Sequence, residues 1–334
     1  MNYNYFVGID VSKTKLDVSV IVKGSERKPF HLQIKNDETG FEHCVQVLAM
    51  EFGTLDSNWF FCLEHTGVYA VPFCCYLATK RLTYTLVPAI QIQKSIGVRR
   101  GKNDKTDSRD IARYAMMFCD QIRIQTLPDP FFQQLQILLA ERDRFVSAKQ
   151  GLETAVNESK QFMTKQMMAS TCKRNERMGK FFDKEIKQID QEIKDLIKSN
   201  DKTNQVFKLI TSVVGVGDQT AYHLILITRG FTTFEDPRKL ACYCGVAPFE
   251  HTSGSSVRGK TRVSPLANKK IKTLLNMCAF SAVQHDPQLN QYYTRKIQEG
   301  KHRMSVINAV RNKLLYRIFA VVRKNEPYLK VVEC

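Results

Sequence analysis

The chain has 334 residues, of which 43% are hydrophobic and 25% charged, the proportions of a folded globular protein. Its 50 Lys and Arg residues exceed its 33 Asp and Glu residues, and the net charge of +17 predicts a polyanionic partner, most simply nucleic acid. The ten cysteines show no paired C-x-x-C spacing, which argues against a zinc site or a disulfide framework. No apolar run approaches the length of a membrane span. We therefore expect a protein of a reducing cytoplasm.

The first 124 residues alternate short apolar runs with amphipathic segments. Strands are predicted at 5–10, 16–22, 29–34, 59–63 and 84–87, and helices at 38–52, 71–79 and 111–119. The first two strands flank a polar turn and are expected to form a hairpin. This order predicts a mixed α/β sheet that is covered by helices.

Four acidic residues stand at the ends of these elements. Asp10 ends the first strand, Glu64 follows the fourth, and Asp104 and Asp107 lie three positions apart at the start of a helix, on one face of it. An acid at the exit of a buried strand is costly unless a metal or hydrogen bonds compensate it. Carboxylate oxygens suit a hard cation such as Mg²⁺ that is shared with a phosphate. The basic residues around the helical pair are Arg99, Arg100, Lys102 and Lys105. A solvated, charge-mixed loop is the alternative for this stretch.

Residues 125–204 repeat apolar side chains at steps of three and four, which predicts long helices. A seam of Ile186, Ile189, Ile193 and Leu196 is typical of an antiparallel helical pair or a coiled coil. Residues 173–179 are interpreted as the turn between the two helices. An intramolecular hairpin and a dimerising arm remain alternatives, because the seam does not encode the oligomeric state.

Residues 205–334 carry 20 basic and 8 acidic side chains, so the positive charge concentrates there. A G-V-G turn between two apolar helices predicts a helix–hairpin–helix unit, in which Gly215 and Gly217 let the backbone approach a phosphate. A plain helical turn is the alternative. The stretch T-S-G-S-S-V-R-G-K-T-R that follows is rich in small residues, and its cations can hold phosphates. Those cations are Arg258, Lys260 and Arg262.

Three motifs in this order, G-I-D-V-S-K, L-E-H-T-G-V-Y and K-N-D-K-T-D-S-R-D-I-A-R-Y, resemble the DEDD-type transposases of the insertion sequence 110/1111 family. The resemblance implies an N-terminal domain similar to the ribonuclease-H-like fold of Holliday-junction resolvases (RuvC-like). It also implies that Asp10, Glu64, Asp104 and Asp107 are the metal ligands and catalytic acids, with Mg²⁺ or Mn²⁺ as the cofactor.

The later stretch from F-E-D-P-R-K-L-A to F-E-H-T-S-G resembles the second domain of the same transposases, in which a serine before a glycine is the nucleophile. Ser253 matches that position. The chain departs from the family shortly afterwards, where Ala267 replaces a glycine and Lys269 and Lys270 stand in place of an arginine. Lysine lacks the bidentate fork of arginine, so phosphate binding there is expected to differ in detail.

The resemblance implies three domains: a DEDD catalytic domain at 1–124, a helical coiled-coil arm at 125–204 and a helix–hairpin–helix serine domain at 205–334. It implies a homo-oligomer, a dimer or tetramer, that joins donor and target double-stranded DNA through a covalent phosphoserine. It further implies guidance by a structured RNA encoded with the element. The alternatives are a metal-dependent junction endonuclease that uses water and a non-catalytic nucleic-acid-binding protein.

Overall fold

The computed structural model describes residues 3–65, 67–97, 103–122, 124, 129–234, 236–253, 257–263 and 267–329, with the backbone alone at 248–253 and 257–262. The chain divides into two compact units, residues 1–128 and 129–334. Within the described ranges, no helix is both long and apolar enough to cross a membrane.

The first unit is built on a five-stranded mixed sheet. Its strands are β1 (Tyr5–Val11), β2 (Lys15–Val22), β3 (Phe30–Lys35), β4 (Trp59–Glu64) and β5 (Thr83–Val87), in the spatial order β3-β2-β1-β4-β5. The predicted hairpin is confirmed, since β1 and β2 pair antiparallel, and β3 extends it antiparallel. β4 runs parallel to β1, and β5 runs parallel to β4. A mixed sheet is confirmed, and its order is consistent with the ribonuclease-H-like fold that the family resemblance implies.

Helices cover both faces of this sheet. They are α1 (Glu38–Phe52), α2 (Val71–Thr79), α3 (Ala89–Ile96) and α4 (Asp104–Phe118), and a 3₁₀ turn spans Gly67–Ala70. The sequence of β4 is almost entirely apolar because the strand is buried on both of its faces. Trp59 and Phe61 belong to the core beneath α1 and α2, whereas Phe60 and Cys62 belong to a second core beneath α3 and α4. A strand that is buried on both faces needs no alternation of polar residues.

Two long helices open the second unit, α5 (Pro130–Ser159) and α6 (Lys165–Lys198). Arg142 contacts Asp190 at 2.7 Å and Lys149 contacts Asp183 at 2.6 Å. From the first contact to the second, the position moves forward along α5 and backward along α6. The two helices therefore pack antiparallel, as predicted. The coiled-coil geometry and the role of a dimerising arm stay predictions.

The predicted turn at residues 173–179 is wrong, because α6 runs through it without a break. The connection is instead residues 160–164, where the side chain of Thr164 accepts a hydrogen bond from the amide of Met167 and caps α6. The run is as polar as a loop, but most of its residues (Lys, Arg, Glu and Met) are good helix formers. It therefore continues the exposed helix.

A helical bundle with one hairpin completes the second unit. Its elements are α7 (Asp201–Ser212), α8 (Asp218–Thr228), α9 (Pro237–Tyr243), β6 (Pro248–Ser253), β7 (Val257–Val263), α10 (Lys269–His285), α11 (Pro287–Gln298) and α12 (Arg303–Lys324). α12 supplies Val310, Leu314 and Ile318 to the centre of its core. α7 and α8 flank the G-V-G turn, but the helix–hairpin–helix assignment and the three domain boundaries stay predictions.

Candidate active site

The end of β1 places Asp10 on the face of the sheet that α4 covers. Gly8, two residues earlier, lies so close to this helix that a Cβ on it would be 2.1 Å from the amide nitrogen of Ala112. Side chains alternate along a strand, so Asp10 points to the same face as Gly8. Asp10 is therefore positioned against the helix that carries Asp104 and Asp107.

The other three predicted acids reach this corner from two further elements. Glu64 is the last residue of β4, the parallel neighbour of β1, and shares a face with the α4-side core residues Phe60 and Cys62. Asp104 and Asp107 lie in the first turn of α4, whose amide at Lys105 donates to the side chain of Asn103. Acids in a first helical turn are favoured by the helix dipole.

The charge of Asp10 is influenced by each of the other three predicted acids, which together with it are called the acid cluster below. The pKa of Asp10 is raised from 3.8 to about 6, first because the carboxyl is partly buried and then because neighbouring carboxylates repel its charge. The repelling carboxylates, from largest effect to smallest, are Glu64, Asp107, Asp104 and Asp17. The acids at positions 64, 104 and 107 therefore all lie near enough to Asp10 to repel its charge, although the sequence separates them widely.

Asp17 is a fifth acid at this corner, which the sequence analysis missed. It is 4% exposed and lies directly opposite Asp10 in the β1–β2 register. Its Oδ1 is 3.0 Å from Nε2 of His31, and Nε2 of Gln33 donates to both of its oxygens at 3.2 Å. The sequence marks Asp17 only as one of two polar residues, with Ser19, inside the strand, and its place beside Asp10 follows from the register of β1 and β2.

Lys15 joins the fifth acid to the predicted cluster. Its Nζ donates to Oδ2 of Asp104 at 2.7 Å and lies 3.4 Å from Oδ2 of Asp17. The hydrogen bond to Asp104 is the main cause of the raised pKa of Lys15. This ammonium group places a positive charge at the cluster and ties β2 to the start of α4.

The donors of the cluster fit a hard divalent cation, because all of them are carboxylate oxygens and their mutual repulsion is relieved by positive charge. The positions of these side chains fit a bound ion less well than their chemistry does. Among the residues that the structure describes, no three His, Cys, Asp or Glu side chains lie close enough together to hold an ion. Asp104 is engaged by Lys15, so a shift of that side chain would be part of forming such a site.

The structure describes only some of the residues that are predicted to bind nucleic acid. Lys105 is exposed at the start of α4, whereas Arg99, Arg100 and Lys102 lie outside the described residues. Gly215 has a positive φ of 86°, and a Cβ there would lie 2.6 Å from the amide nitrogen of Ala282, so close packing on α10 already requires a glycine. Gly217 precedes α8 with open space around it.

The remaining predicted residues lie near the β6–β7 hairpin. Ser253 is the last residue of β6 and pairs with Val257 of β7. The backbone of Arg258, Lys260 and Arg262 belongs to β7, and the side chains of all four residues lie outside the described part. Lys269 is exposed in the first turn of α10, and its neighbour Lys270 donates to Asp143.

Two family models match separate parts of the chain. A transposase model of the DEDD type of IS110 matches residues 7–165, and a model for transposases of the IS116/IS110/IS902 family matches residues 207–294. These matches define the class of the chain, which is a DNA transposase or recombinase. It belongs to the IS110/IS116/IS902 family of insertion-sequence transposases.

Individual relatives agree with these matches. The chain is 24% identical to a pilin gene-inverting protein of Moraxella lacunata, over 97% of this chain and 98% of that protein. It is 31% identical to a 43.6 kDa protein of the insertion element IS110 from Streptomyces coelicolor, over 36% of this chain and 29% of that protein. Among solved structures it is similar to T. thermophilus RuvC in complex with a Holliday junction substrate, with 10% identity, a TM-score of 0.28, and coverage of 37% of this chain and all of that one.

Proposed function

We propose that this transposase cuts and rejoins DNA strands with Ser253 as the nucleophile and with Asp10, Glu64, Asp104 and Asp107 as the ligands of a divalent cation, Mg²⁺ or Mn²⁺. The metal assignment is supported by the position of Asp10, whose pKa is raised first by burial and then by repulsion from Glu64, Asp107, Asp104 and Asp17, so that a positive charge would be favourable there. Carboxylates with perturbed pKa values are typical of functional sites. Ser253 rests on its place in the matched family region at residues 207–294.

The proposed reaction exchanges one phosphodiester for another. The Ser253 hydroxyl attacks phosphorus, the bond to the leaving deoxyribose oxygen breaks, and that oxygen takes up a proton while the serine oxygen loses one. A hydroxyl of the partner strand then attacks the phosphoserine and restores both the serine and the DNA backbone. A divalent cation at the acids would polarise the phosphate and stabilise the leaving oxygen. Serine requires such activation because its hydroxyl is a weak nucleophile.

The partners of the proposed reaction are donor and target duplex DNA in the cytoplasm, a guide RNA encoded beside the gene and further copies of the chain. The charge of +17 supports a nucleic-acid partner, because neutralised phosphates release counterions and supply most of the non-specific affinity.

A covalent trap tests the nucleophile. The full chain is mixed with labelled DNA that carries the flanks of the gene, RNA transcribed from those flanks and Mg²⁺, and the products are resolved under denaturing conditions. We expect a protein–DNA adduct in the wild type, no adduct in Ser253→Ala, and a greatly reduced amount in Asp104→Ala. Ser255→Ala is the matched control and should form the adduct.

An adduct that survives in Ser253→Ala would overturn the nucleophile assignment. Nicked DNA with free 5′-phosphates and no attached protein would instead support hydrolysis by water.

The ion pair of Lys15 gives a prediction about metal affinity. Lys15 holds Asp104 with a positive charge that a divalent cation must displace. We expect Lys15→Met to bind Mn²⁺ about two- to fivefold more tightly than the wild type, as measured by electron paramagnetic resonance of free Mn²⁺; the gain is modest because the pair is partly exposed. Lys23→Met, an exposed lysine beyond the other end of β2, is the control. Unchanged or weaker binding in Lys15→Met would show that Lys15 does not compete with the ion.

A further inference from the structure

A groove between α11 and α12 is separate from every residue assigned above. It has a volume of about 740 Å³, within the range of about 300–1,000 Å³ that is typical of sites for small organic ligands. Residues at helical spacing on each helix face it. Its charged and aromatic lining consists of Tyr292 and Arg295 from α11, and Lys313, Tyr316 and Arg317 from α12.

The lining of this groove is positive. It contains three cations and no acidic side chain. Two carboxylates lie nearby: Asp286 accepts from Arg317 at 2.6 Å, and Glu299 accepts from Lys296 at 2.6 Å and lies 3.8 Å from Nε of Arg295. Together with Lys296 and Lys313, the cations still outnumber these two acids, so the groove stays positive. The groove therefore attracts an anion, and the Lys313 ammonium, exposed on α12, is placed to meet it.

Two tyrosines give the groove a second chemical character. The ring of Tyr292 is covered by cations, with Nζ of Lys313 4.5 Å and Cζ of Arg295 5.9 Å from its centre. Tyr316 is 43% exposed, and among the described residues no aromatic ring or cation packs against its ring. An open aromatic face beside cations is the arrangement on which unpaired nucleobases stack while their phosphates are neutralised.

We propose that the α11–α12 groove binds a single-stranded segment of nucleic acid, with one base stacked on Tyr316 and adjacent phosphates held by Arg295 and Lys313. A duplex fits the groove less well, because its paired bases are stacked on one another and present no open face. The proposal concerns binding alone and does not depend on Ser253 or the acid cluster.

Binding to short oligonucleotides tests this groove. The probes are fluorescein-labelled ten-nucleotide oligothymidylate and oligouridylate, and a DNA hairpin with the same number of phosphates whose stem is closed by a glycol linker in place of unpaired bases. Binding is measured by anisotropy with the full chain. We expect Tyr316→Ala to weaken binding of a single strand about 5- to 100-fold. Tyr316→Phe keeps the ring and should bind like the wild type, and hairpin binding should be unchanged in both variants. The two single strands separate DNA from RNA as the preferred ligand.

The phosphate contacts are tested through the dependence on salt. Removal of two cations in Arg295→Gln/Lys313→Gln should lower the slope of log affinity against log salt by about 1.4 for a single strand. Lys184→Gln/Lys187→Gln removes the same charge from the exposed side of α6 and should leave that slope nearly unchanged.

Thermal unfolding must match the wild type in each variant. Single-strand affinity that is unchanged in Tyr316→Ala, or lost equally for the hairpin, would overturn the proposal and leave the groove an unspecific basic surface.

Discussion

Asp10→Asn is expected to stabilise the first unit while it abolishes strand cleavage. The asparagine keeps the shape of the side chain and removes one negative charge from a cluster of five. Without that carboxylate a divalent cation loses a ligand, and we expect DNA cleavage to fall by about 1,000-fold, the upper range for removing one electrostatic contact in an active site. A gain in stability together with a loss of activity is typical of residues that serve function at a cost in stability.

The stability gain depends on pH in a direction that follows from the pKa of Asp10. The folded state holds its proton up to about pH 6, whereas the unfolded chain releases it near 3.8. Between these values the folded state binds more protons, so the wild type loses stability as the pH rises through this window. Asp10→Asn has no carboxyl group at this position, so its stability does not fall in this way as the pH rises.

The difference between the two proteins should be absent below about pH 4 and complete above pH 6. Because the carboxyl is partly exposed and screened by solvent, we expect it to reach about 1–2 kcal/mol in the free energy of unfolding.

Urea unfolding without divalent ions at pH 4 and pH 8 measures this difference. The fluorescence of Trp59, the single tryptophan, reports on the first unit because the side chain is buried there and stacks on Tyr5 at 4.3 Å. Asp120→Asn, an exposed acid, is the control and should change neither stability nor cleavage. If Asp10→Asn is less stable than the wild type at pH 8, the acids do not repel one another as described.

Gly8→Ala is expected to destabilise the first unit by about 3 kcal/mol or more. The added Cβ would lie 2.1 Å from the amide nitrogen of Ala112 and 2.2 Å from the carbonyl oxygen of Ser108, and both atoms belong to the backbone of α4. A backbone atom cannot rotate away, so α4 as a whole would have to move from β1. That movement would also stretch the buried hydrogen bond of 2.8 Å between Ser19 and Ser108.

Gly24→Ala separates this clash from ordinary backbone strain. Gly24 has a φ of 74° and open space around it, so alanine there should cost only about 1 kcal/mol. Urea midpoints followed through Trp59 compare the two variants in the same unit. Equal costs would mean that α4 does not pack on β1 as closely as the structure shows. Because α4 carries Asp104 and Asp107, Gly8→Ala should also disturb the acid cluster.

The first unit was largely predictable because its signals are local. The 38–52 helix is confirmed to the residue, and it is capped by Asp37, whose carboxylate accepts from the amide of Gly40. Asp10 and Glu64 stood out as acids at the ends of buried strands, Asp104 and Asp107 as a pair on one face of a helix start, and the family resemblance connected the four. Their convergence needed the sheet order as well, which brings β1 and β4 side by side.

Features that depend on register were not predictable. Asp17 faces Asp10 only because the two strands pair at those residues, and a single-residue shift would turn it to the opposite face. Lys15 reaches Asp104 across 89 positions of the chain, a contact that no spacing in the sequence indicates. The turn predicted at residues 173–179 was wrong for a local reason: an exposed helix and a polar loop have similar amino-acid compositions.

The most direct test of the account is to identify the residue that carries DNA in the trapped adduct. The wild-type adduct is digested with protease and nuclease, and the nucleotide-modified peptide is sequenced by tandem mass spectrometry. The account predicts a nucleotide joined through a phosphodiester to the hydroxyl of Ser253, formed only when a divalent cation is present. A nucleotide on Ser255, Ser256 or a tyrosine, or cleaved DNA with no modified peptide at all, would contradict it.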